Sequence, residues 1–172
     1  MIEIDMEKCS GCRRCEAVCS FSHFDGDVGR ETARVKVAKL EELGLDYPLL
    51  CLQCEERYCV RECPVDALSV GEEGQVSVDE ESCVSCGRCE EVCPIGAVSL
   101  FEGRPLVCDL CGGEPLCVQS CTMDALSLNP ERRGEVSLEK FREESASQST
   151  EEKRIEFCRW QGRELRKKWE GE

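Results

Sequence analysis

Cysteine is the residue whose number and spacing most clearly indicate a chemistry in this sequence. Sixteen of the seventeen cysteines form four groups of four, and each group begins C-x2-C and ends C-x3-C. The groups are Cys9, Cys12, Cys15 and Cys19; Cys51, Cys54, Cys59 and Cys63; Cys83, Cys86, Cys89 and Cys93; and Cys108, Cys111, Cys117 and Cys121. Because a [4Fe–4S] cluster is held by four thiolates, this pattern predicts four such clusters.

The spacing within a group indicates how its thiolates are shared between clusters. A C-x2-C-x2-C run places three thiolates around one cluster, and a cysteine three residues further on ligates the other cluster of a pair. The second and third groups show this layout most clearly, because Pro64 and Pro94 follow their last cysteines and nineteen residues separate Cys63 from Cys83. These two groups are therefore predicted to form one compact two-cluster unit.

Zinc binding and disulfide formation are the alternatives. Zinc ribbons use two C-x2-C pairs at a longer separation and need neither a third cysteine at short spacing nor a following proline. A scheme built from disulfides alone would leave one of seventeen thiols unpaired. Both alternatives fit four repeated groups less well than iron–sulfur clusters do.

The remaining composition agrees with a protein built around clusters. The 172-residue chain has only five Phe, two Tyr and two Trp, and cysteine makes up about a tenth of it. At such a cysteine content, metals or cross-links commonly replace a conventional aromatic core. The formal net charge of −14 disfavours nucleic acid and anionic membrane surfaces, so we expect the partner to be a protein.

The sequence also carries a prediction about location. The first residues, MIEIDMEKCSG, lack the basic and apolar regions of a secretory signal, and no stretch approaches the ~18–20 apolar residues of a membrane helix. Closely spaced cysteines in a reducing compartment more often bind metal than pair with each other. We therefore expect a cytoplasmic protein without direct membrane insertion.

The residues that follow the cysteine groups repeat as well. The sequences PVDALSV, PIGAVSL and TMDALSL come directly after the second, third and fourth groups. Each unit is interpreted as a cysteine-bearing loop, a short helical turn and a short strand. The predicted strands lie at 68–70, 98–100 and 126–128. The alanines expected to pack closely beneath a cluster are Ala67, Ala97 and Ala125.

Two segments lie outside this repeat. Within an insertion at 20–50, alternation at 34–37, a turn at Gly44 and a return at 47–50 predict a β-hairpin. A charged tail at 129–172 contains a linker-like stretch and a helix over 151–169 that starts at Ser149 or Thr150. Its apolar side chains are predicted to dock on a partner, with Ile155, Leu165 and Trp169 as anchors.

The four groups in order, with the widened second group CLQCEERYCVREC and the widened fourth group CDLCGGEPLC, resemble a known family. They are similar to the four-cluster iron–sulfur subunits of molybdenum and tungsten oxidoreductases, such as those of dimethyl sulfoxide reductase and formate dehydrogenase. The stretch SFSHFDGD after the first group resembles the small subunits of tungsten aldehyde oxidoreductases. The resemblance covers residues 8–128.

This resemblance implies an α+β fold of two ferredoxin-like modules, with a β-hairpin insertion and a C-terminal helical tail. It pairs the first group with the fourth and the second with the third. The implied ligands are Cys9, Cys12, Cys15 and Cys121 for cluster 1; Cys19, Cys108, Cys111 and Cys117 for cluster 2; Cys51, Cys54, Cys59 and Cys93 for cluster 3; and Cys63, Cys83, Cys86 and Cys89 for cluster 4. The implied domains are an outer module at 1–19 and 101–128, the insertion at 20–50, an inner module at 51–100 and the tail at 129–172.

The implied function is electron transfer without a catalytic residue set. The sequence contains no phosphate-binding glycine loop, dinucleotide fingerprint or serine–histidine arrangement. Sixteen thiolates on four clusters also leave no iron open to a substrate. We expect a non-catalytic subunit that relays electrons between a molybdopterin or tungstopterin catalytic subunit and a ferredoxin or other redox carrier. A free-standing polyferredoxin is the alternative.

Two single residues remain open to interpretation. His23, the only histidine, lies four residues after Cys19 and is interpreted as a hydrogen-bonded structural residue rather than a proton relay. Cys158 lies on the apolar face of the tail helix and is interpreted as a small buried hydrophobic residue rather than a redox thiol.

Overall fold

The computed structural model describes residues 1–24, 26, 28–132, 134 and 136–171. Short helices and four two-stranded antiparallel sheets surround the cysteine groups. The helices are α1 (Arg14–His23), α2 (Tyr58–Arg61), α3 (Arg88–Glu91), α4 (Leu116–Gln119), α5 (Glu139–Ser145) and α6 (Thr150–Glu170), with 3-10 turns at Glu41–Leu43 and Leu110–Gly113. The strands are β1 (Ile2–Ile4), β2 (Lys36–Leu40), β3 (Leu45–Leu49), β4 (Leu68–Val70), β5 (Val76–Val78), β6 (Ser99–Phe101), β7 (Arg104–Leu106) and β8 (Leu126–Leu128).

The pairing of β1 with β8 joins the start of the chain to the end of the fourth cysteine group. Ile2 lies opposite Leu128, and Ile4 lies opposite Leu126. Ile2 and Leu126 are buried, so apolar side chains hold this two-stranded sheet on the protein interior. The sheet brings the first and fourth groups side by side although they lie far apart in the sequence.

Two further sheets follow the second and third groups. Strand β4 pairs with β5, and β6 pairs with β7. The β6–β7 turn consists of Glu102 and Gly103, with φ of 49° and 81°, the positive values that a tight type I′ hairpin turn requires at both central positions. Strands β4 and β8 lie where the repeat predicts them, whereas β6 begins one residue later than the predicted 98–100.

The insertion forms a β-hairpin, as predicted, and the ends of its two strands differ from the predicted ends by about two residues. Strands β2 and β3 pair from Lys36 opposite Leu49 to Leu40 opposite Leu45. Gly44 closes the turn with φ of 65°, a left-handed value that glycine adopts without strain. Strand β2 begins at Lys36, and two residues earlier the backbone N–H group of Arg34 donates to the sulfur of Cys19 at 3.3 Å.

Helix α6 begins at the predicted position. Ser149 is its N-cap, and it forms a capping box with Glu152, in which each side chain accepts a hydrogen bond from the other residue's backbone N–H. The cap is followed by a 21-residue helix. None of the helices that the structure describes is long and apolar enough to cross a membrane.

The apolar face of α6 packs inside the chain, which corrects the prediction that this face docks on a partner. Phe157 is 2% exposed and Cys158 is 0% exposed, and Ile155 and Leu165 pack against the same core. Trp169 alone among the predicted anchors stays exposed, and its indole N–H donates to Glu7 at 2.7 Å. Helix α6 therefore covers the β2–β3 hairpin, with which it is in contact.

A small aromatic core lies where helices α5 and α6 meet the β2–β3 hairpin. Tyr47, Phe141, Phe157 and Trp160 form edge-to-face and tilted pairs with ring centroids 5.1–6.2 Å apart. Lys140 places its ammonium group 3.6 Å from the centroid of Trp160. Four of the nine aromatic residues thus pack together in one small core.

Candidate metal centres

The structure brings the sixteen repeat cysteines together around four separate cavities, four cysteines to each. Cavity 1 is lined by Cys9, Cys12, Cys15 and Cys121; cavity 2 by Cys19, Cys108, Cys111 and Cys117; cavity 3 by Cys51, Cys54, Cys59 and Cys93; and cavity 4 by Cys63, Cys83, Cys86 and Cys89. Each cavity combines three cysteines of one group with one of another, and the four sets are those that the family resemblance implies.

Cavities 1 and 2 are joined by two helical turns. Cys15 and Cys19 lie on α1 one turn apart, and they face cavity 1 and cavity 2 respectively. At α4, which packs on α1, the order is reversed: Cys117 faces cavity 2 and Cys121, just beyond the helix, faces cavity 1. The C-x3-C spacing thus places two thiols on one helix face about 6 Å apart along the axis, which lets them reach neighbouring cavities.

Cavities 3 and 4 are related in the same way. Cys59 lies on α2 and faces cavity 3, whereas Cys63, just beyond the helix, faces cavity 4. At α3 the order is reversed: Cys89 faces cavity 4 and Cys93 faces cavity 3. Each of the two groups therefore supplies its last cysteine to the cavity that the other group mainly lines.

Cavities 2 and 3 are lined by consecutive residues of the chain. Leu50 lines cavity 2, and the next residue, Cys51, lines cavity 3. The buried side chain of Gln53 donates from Nε2 to the carbonyl oxygen of Cys108 at 2.8 Å and accepts from the backbone N–H of Val76 at 3.1 Å. Gln53 therefore links the segment at Cys108 to strand β5 by hydrogen bonds. No spacing pattern in the sequence indicates this role.

Backbone N–H groups point at the cysteine sulfurs. The N–H groups of Ala67 and Ala125 each donate to the sulfur four residues earlier, those of Cys63 and Cys121, at 3.3 Å. Both alanines are buried, as the repeat predicts. Such N–H···S contacts stabilise thiolate and tune the reduction potential of a bound cluster.

Burial sets the protonation of the free thiols. It raises the pKa of Cys15 and Cys108 to about 12 and that of Cys89 to about 11. A cage of four buried thiols without a cation favours the protonated form, whereas iron stabilises the thiolates and uses the same sulfur geometry. The donor set therefore fits a cubane cluster. All seventeen cysteines are free thiols.

Gly11 and Gly87 lie in cysteine-bearing loops, each between two cysteines of one group. Gly11 has φ of 62°, and its N–H points at the sulfur of Cys9. A Cβ atom on Gly11 would meet the carboxylate of Asp46, so a larger residue there would also displace that side chain. Gly87 has φ of 77°, and a Cβ atom there would make only an ordinary contact with Leu100 at 4.0 Å, so its backbone conformation explains the residue.

Cavity 2 contains three polar side chains besides its cysteines: His23, Arg34 and Asp109. Nε2 of His23 lies 3.7 Å from Sγ of Cys111 and 3.9 Å from Oδ1 of Asp109. Burial, and next the charge of Arg34, lower the pKa of His23. The structure thus places His23 beside a cluster-binding thiol, while sequence reasoning missed Arg34 and Asp109 as members of this site.

The two outer cavities reach the surface. Cys12 in cavity 1 and Cys86 in cavity 4 are exposed, whereas the cysteines of cavities 2 and 3 are buried or half-buried. Met123 beside cavity 1 and Val84 beside cavity 4 are 47% and 61% exposed. The row of cavities thus has an accessible sulfur at each end.

Four cages of four cysteine thiols define an iron–sulfur protein, and the protein holds four [4Fe–4S] clusters. Models of the 4Fe-4S dicluster domain match residues 8–68 and 50–97. The polyferredoxin-like subunit of aliphatic sulfonate oxidoreductase from Pyrococcus furiosus is 44% identical over 123 residues, which are 70% of this chain and 70% of that protein.

Further relatives share most of the length of this protein. The B subunit of anaerobic dimethyl sulfoxide reductase from Escherichia coli is 32% identical over 152 residues, covering 74% of this chain and 71% of its own length. A subunit in the solved active site complex BamBC of benzoyl coenzyme A reductase is 33% identical, with 74% of this chain and 76% of that subunit covered and a TM-score of 0.45. The protein belongs to the family of iron–sulfur electron-transfer subunits of oxidoreductases that includes the B subunit of dimethyl sulfoxide reductase, which confirms the resemblance seen in the sequence.

Proposed function

We propose that this protein relays electrons between a molybdopterin- or tungstopterin-containing catalytic subunit and an external redox carrier. The observation that carries the proposal is the unbroken row of four cysteine-lined cavities with an exposed cysteine at each end. Each [4Fe–4S] cluster, when bound, supplies a one-electron carrier. The protein's part is to hold these carriers close together and to expose only the two ends.

We further propose that the four cysteines of each cavity are the ligands of one cluster. Cavities 1 and 2 then form an outer ferredoxin-like module, closed by the β1–β8 sheet, and cavities 3 and 4 form an inner module. In both modules, one helical turn carries thiols for two cavities, which holds neighbouring clusters at a fixed separation. Gln53 and the Leu50–Cys51 backbone connect the modules.

Partner proteins would contact the two exposed ends of the row. At the cavity 4 end, exposed Val65 and Val84 flank Cys86. At the cavity 1 end, Met123 lies beside Cys12. Apolar side chains around an exposed ligand allow a partner to exclude water at the contact through which the electron passes. These ends replace α6 as the proposed docking surfaces.

Support for a subunit rather than a free polyferredoxin comes from the relatives. Two of them are named as parts of an oxidoreductase, and this protein covers at least 70% of each. Seventeen free thiols also suit a reducing compartment, which supports a cytoplasmic location. The identity of the metal in the catalytic partner rests on the sequence resemblance.

Anaerobic purification of the native protein tests this proposal. We expect a second, larger subunit to co-purify, with molybdenum or tungsten bound to a pterin. Reduction of the clusters by that subunit's substrate would support the relay. Isolation of the native protein only as a free monomer would instead favour the polyferredoxin.

A further inference from the structure

Arg34 holds a buried hydrogen-bond donor at the edge of cavity 2. Its side chain is 20% exposed and lines the cavity together with Cys19 and Cys117. Its Nε atom is buried and donates no hydrogen bond to any residue that the structure describes. A buried guanidinium N–H without an acceptor is costly, so its place against a cluster cavity indicates that the missing acceptor belongs to the bound group.

The neighbours of Arg34 fix its position. Its Nη1 atom lies 2.5 Å from Oδ2 of Asp109, and the other carboxylate oxygen of Asp109 accepts from the backbone N–H of Cys111 at 2.9 Å. Its own backbone N–H donates to Sγ of Cys19 at 3.3 Å. One carboxylate in the same cavity wall therefore holds the guanidinium, while Nε is buried without an acceptor among the residues that the structure describes.

The arginines at the other cavities have different surroundings. Arg88 at cavity 4 pairs with Glu62 and Glu91, both at 3.0 Å. Nε of Arg13 at cavity 1 is also buried without a hydrogen bond, but the carboxylate of Glu16 lies 3.9 Å from that same atom. At cavity 3, no charged side chain of the described residues lines the wall. Cavity 2 thus differs from the other three, because the carboxylate beside its arginine approaches Nη1 rather than Nε.

We propose that Arg34 raises the reduction potential of the cluster in cavity 2 by donating a hydrogen bond to it. When that cluster takes one electron from a redox partner, which is oxidised by one electron, its negative charge grows. A charge-assisted N–H···S hydrogen bond from Arg34 stabilises this reduced form more than the oxidised form. The inference rests on the proposed ligand set of cavity 2.

The test is an anaerobic redox titration of the full chain, monitored by electron paramagnetic resonance, with Arg34→Gln as the variant. We expect one of the four cluster couples to move to lower potential and the other three to stay unchanged. Arg159→Gln, which removes a surface arginine paired with Glu42 and Glu156, is the matched control and should move none. Four unchanged couples in Arg34→Gln, or a shift to higher potential, would overturn the proposal.

Two further variants keep the result interpretable. Cys117→Ser identifies which redox couple belongs to cavity 2. Arg34→Gln must shift that same couple. A shift in a different couple would contradict the role of Arg34 and leave the four-cluster assignment intact. If Arg34→Gln loses iron, Arg34→Lys decides, because lysine keeps the charge without the guanidinium fork. A smaller downward shift of the same couple supports the proposal, and no shift rejects it.

Discussion

Gly96 lies directly against Thr150, at the first turn of helix α6. A Cβ atom on Gly96 would meet the carbonyl oxygen of Thr150, and the residue has φ of 60°. Arg154, one turn further along the helix, donates to the carbonyl oxygen of Gly96 at 3.1 Å. Buried Lys153 donates to the carbonyl oxygen of Glu91 at 2.5 Å. Helix α6 is thus fastened to the loop that follows Cys93, a cysteine of cavity 3.

The first prediction concerns this contact. Gly96→Ala should destabilise the protein by more than the ~1–3 kcal/mol that a strained backbone conformation alone costs, because the new methyl group also meets the backbone of α6. Gly44→Ala is the control, since Gly44 has a similar φ of 65° and nothing lies within 4 Å of the position that its Cβ atom would take. Anaerobic thermal unfolding of both variants is the measurement. Equal losses of stability would show that the contact with Thr150 has no effect.

The second prediction concerns truncation of the tail. Deletion of residues 145–172 should weaken the cluster in cavity 3, because it removes Lys153 and Arg154 from the loop beside Cys93 and exposes the hairpin that Phe157 covers. We expect fewer than the about sixteen iron atoms of four cubanes after purification. Trp169→Ala, which removes only a surface hydrogen bond to Glu7, should keep all of them. Full iron content and unchanged unfolding in the truncated chain would contradict this account of α6.

The third prediction concerns the sharing of cysteines between groups. Cys93→Ser should give the same spectroscopic change as Cys54→Ser, since both line cavity 3, although they lie in different groups. Cys89→Ser should instead resemble Cys86→Ser, since both line cavity 4. Electron paramagnetic resonance of the four reduced variants checks the pairs. Matching spectra for Cys93→Ser and Cys89→Ser would mean that each group keeps its own four cysteines.

The fourth prediction is a pH dependence of cluster retention. Burial raises the pKa of Cys108 to about 12 and that of Cys89 to about 11 in the metal-free protein, so at neutral pH these thiols are protonated whenever a cluster is absent. Cluster binding must therefore displace protons, and acid favours release. The rate of cluster loss to an iron chelator should rise as the pH falls from about 8 to 6. A rate independent of pH would contradict the prediction.

The spacing of the cysteines predicts much of the site because a C-x3-C step is one helical turn. Cys15 and Cys19 lie on the same face of a helix, displaced by about 6 Å along its axis, so the two thiols can reach two neighbouring clusters. The short strands after the groups were equally predictable, since the repeat sets their length. Strand β6 starts one residue later than predicted because its pairing with β7 begins at Ser99, which lies opposite Leu106.

Other features depend on contacts that a sequence pattern does not contain. An apolar face on α6 has the same pattern whether it packs on a partner or on its own hairpin, and Phe157 and Ile155 pack on the hairpin side. The role of Gln53 depends on Cys108, and that of Arg34 depends on Asp109, both of which lie more than fifty residues further along the sequence. Neither pair is marked by spacing or composition.

The most direct test of the central claim is the iron and acid-labile sulfide content of the anaerobically purified protein. Four cages of four cysteines predict about sixteen iron atoms and about sixteen sulfides per chain. Cys158, buried at 0% exposure and outside the four cysteine cavities, should be dispensable for that content, so Cys158→Ala should bind the same amount. Stoichiometric zinc with little sulfide in the unmodified protein would contradict the account.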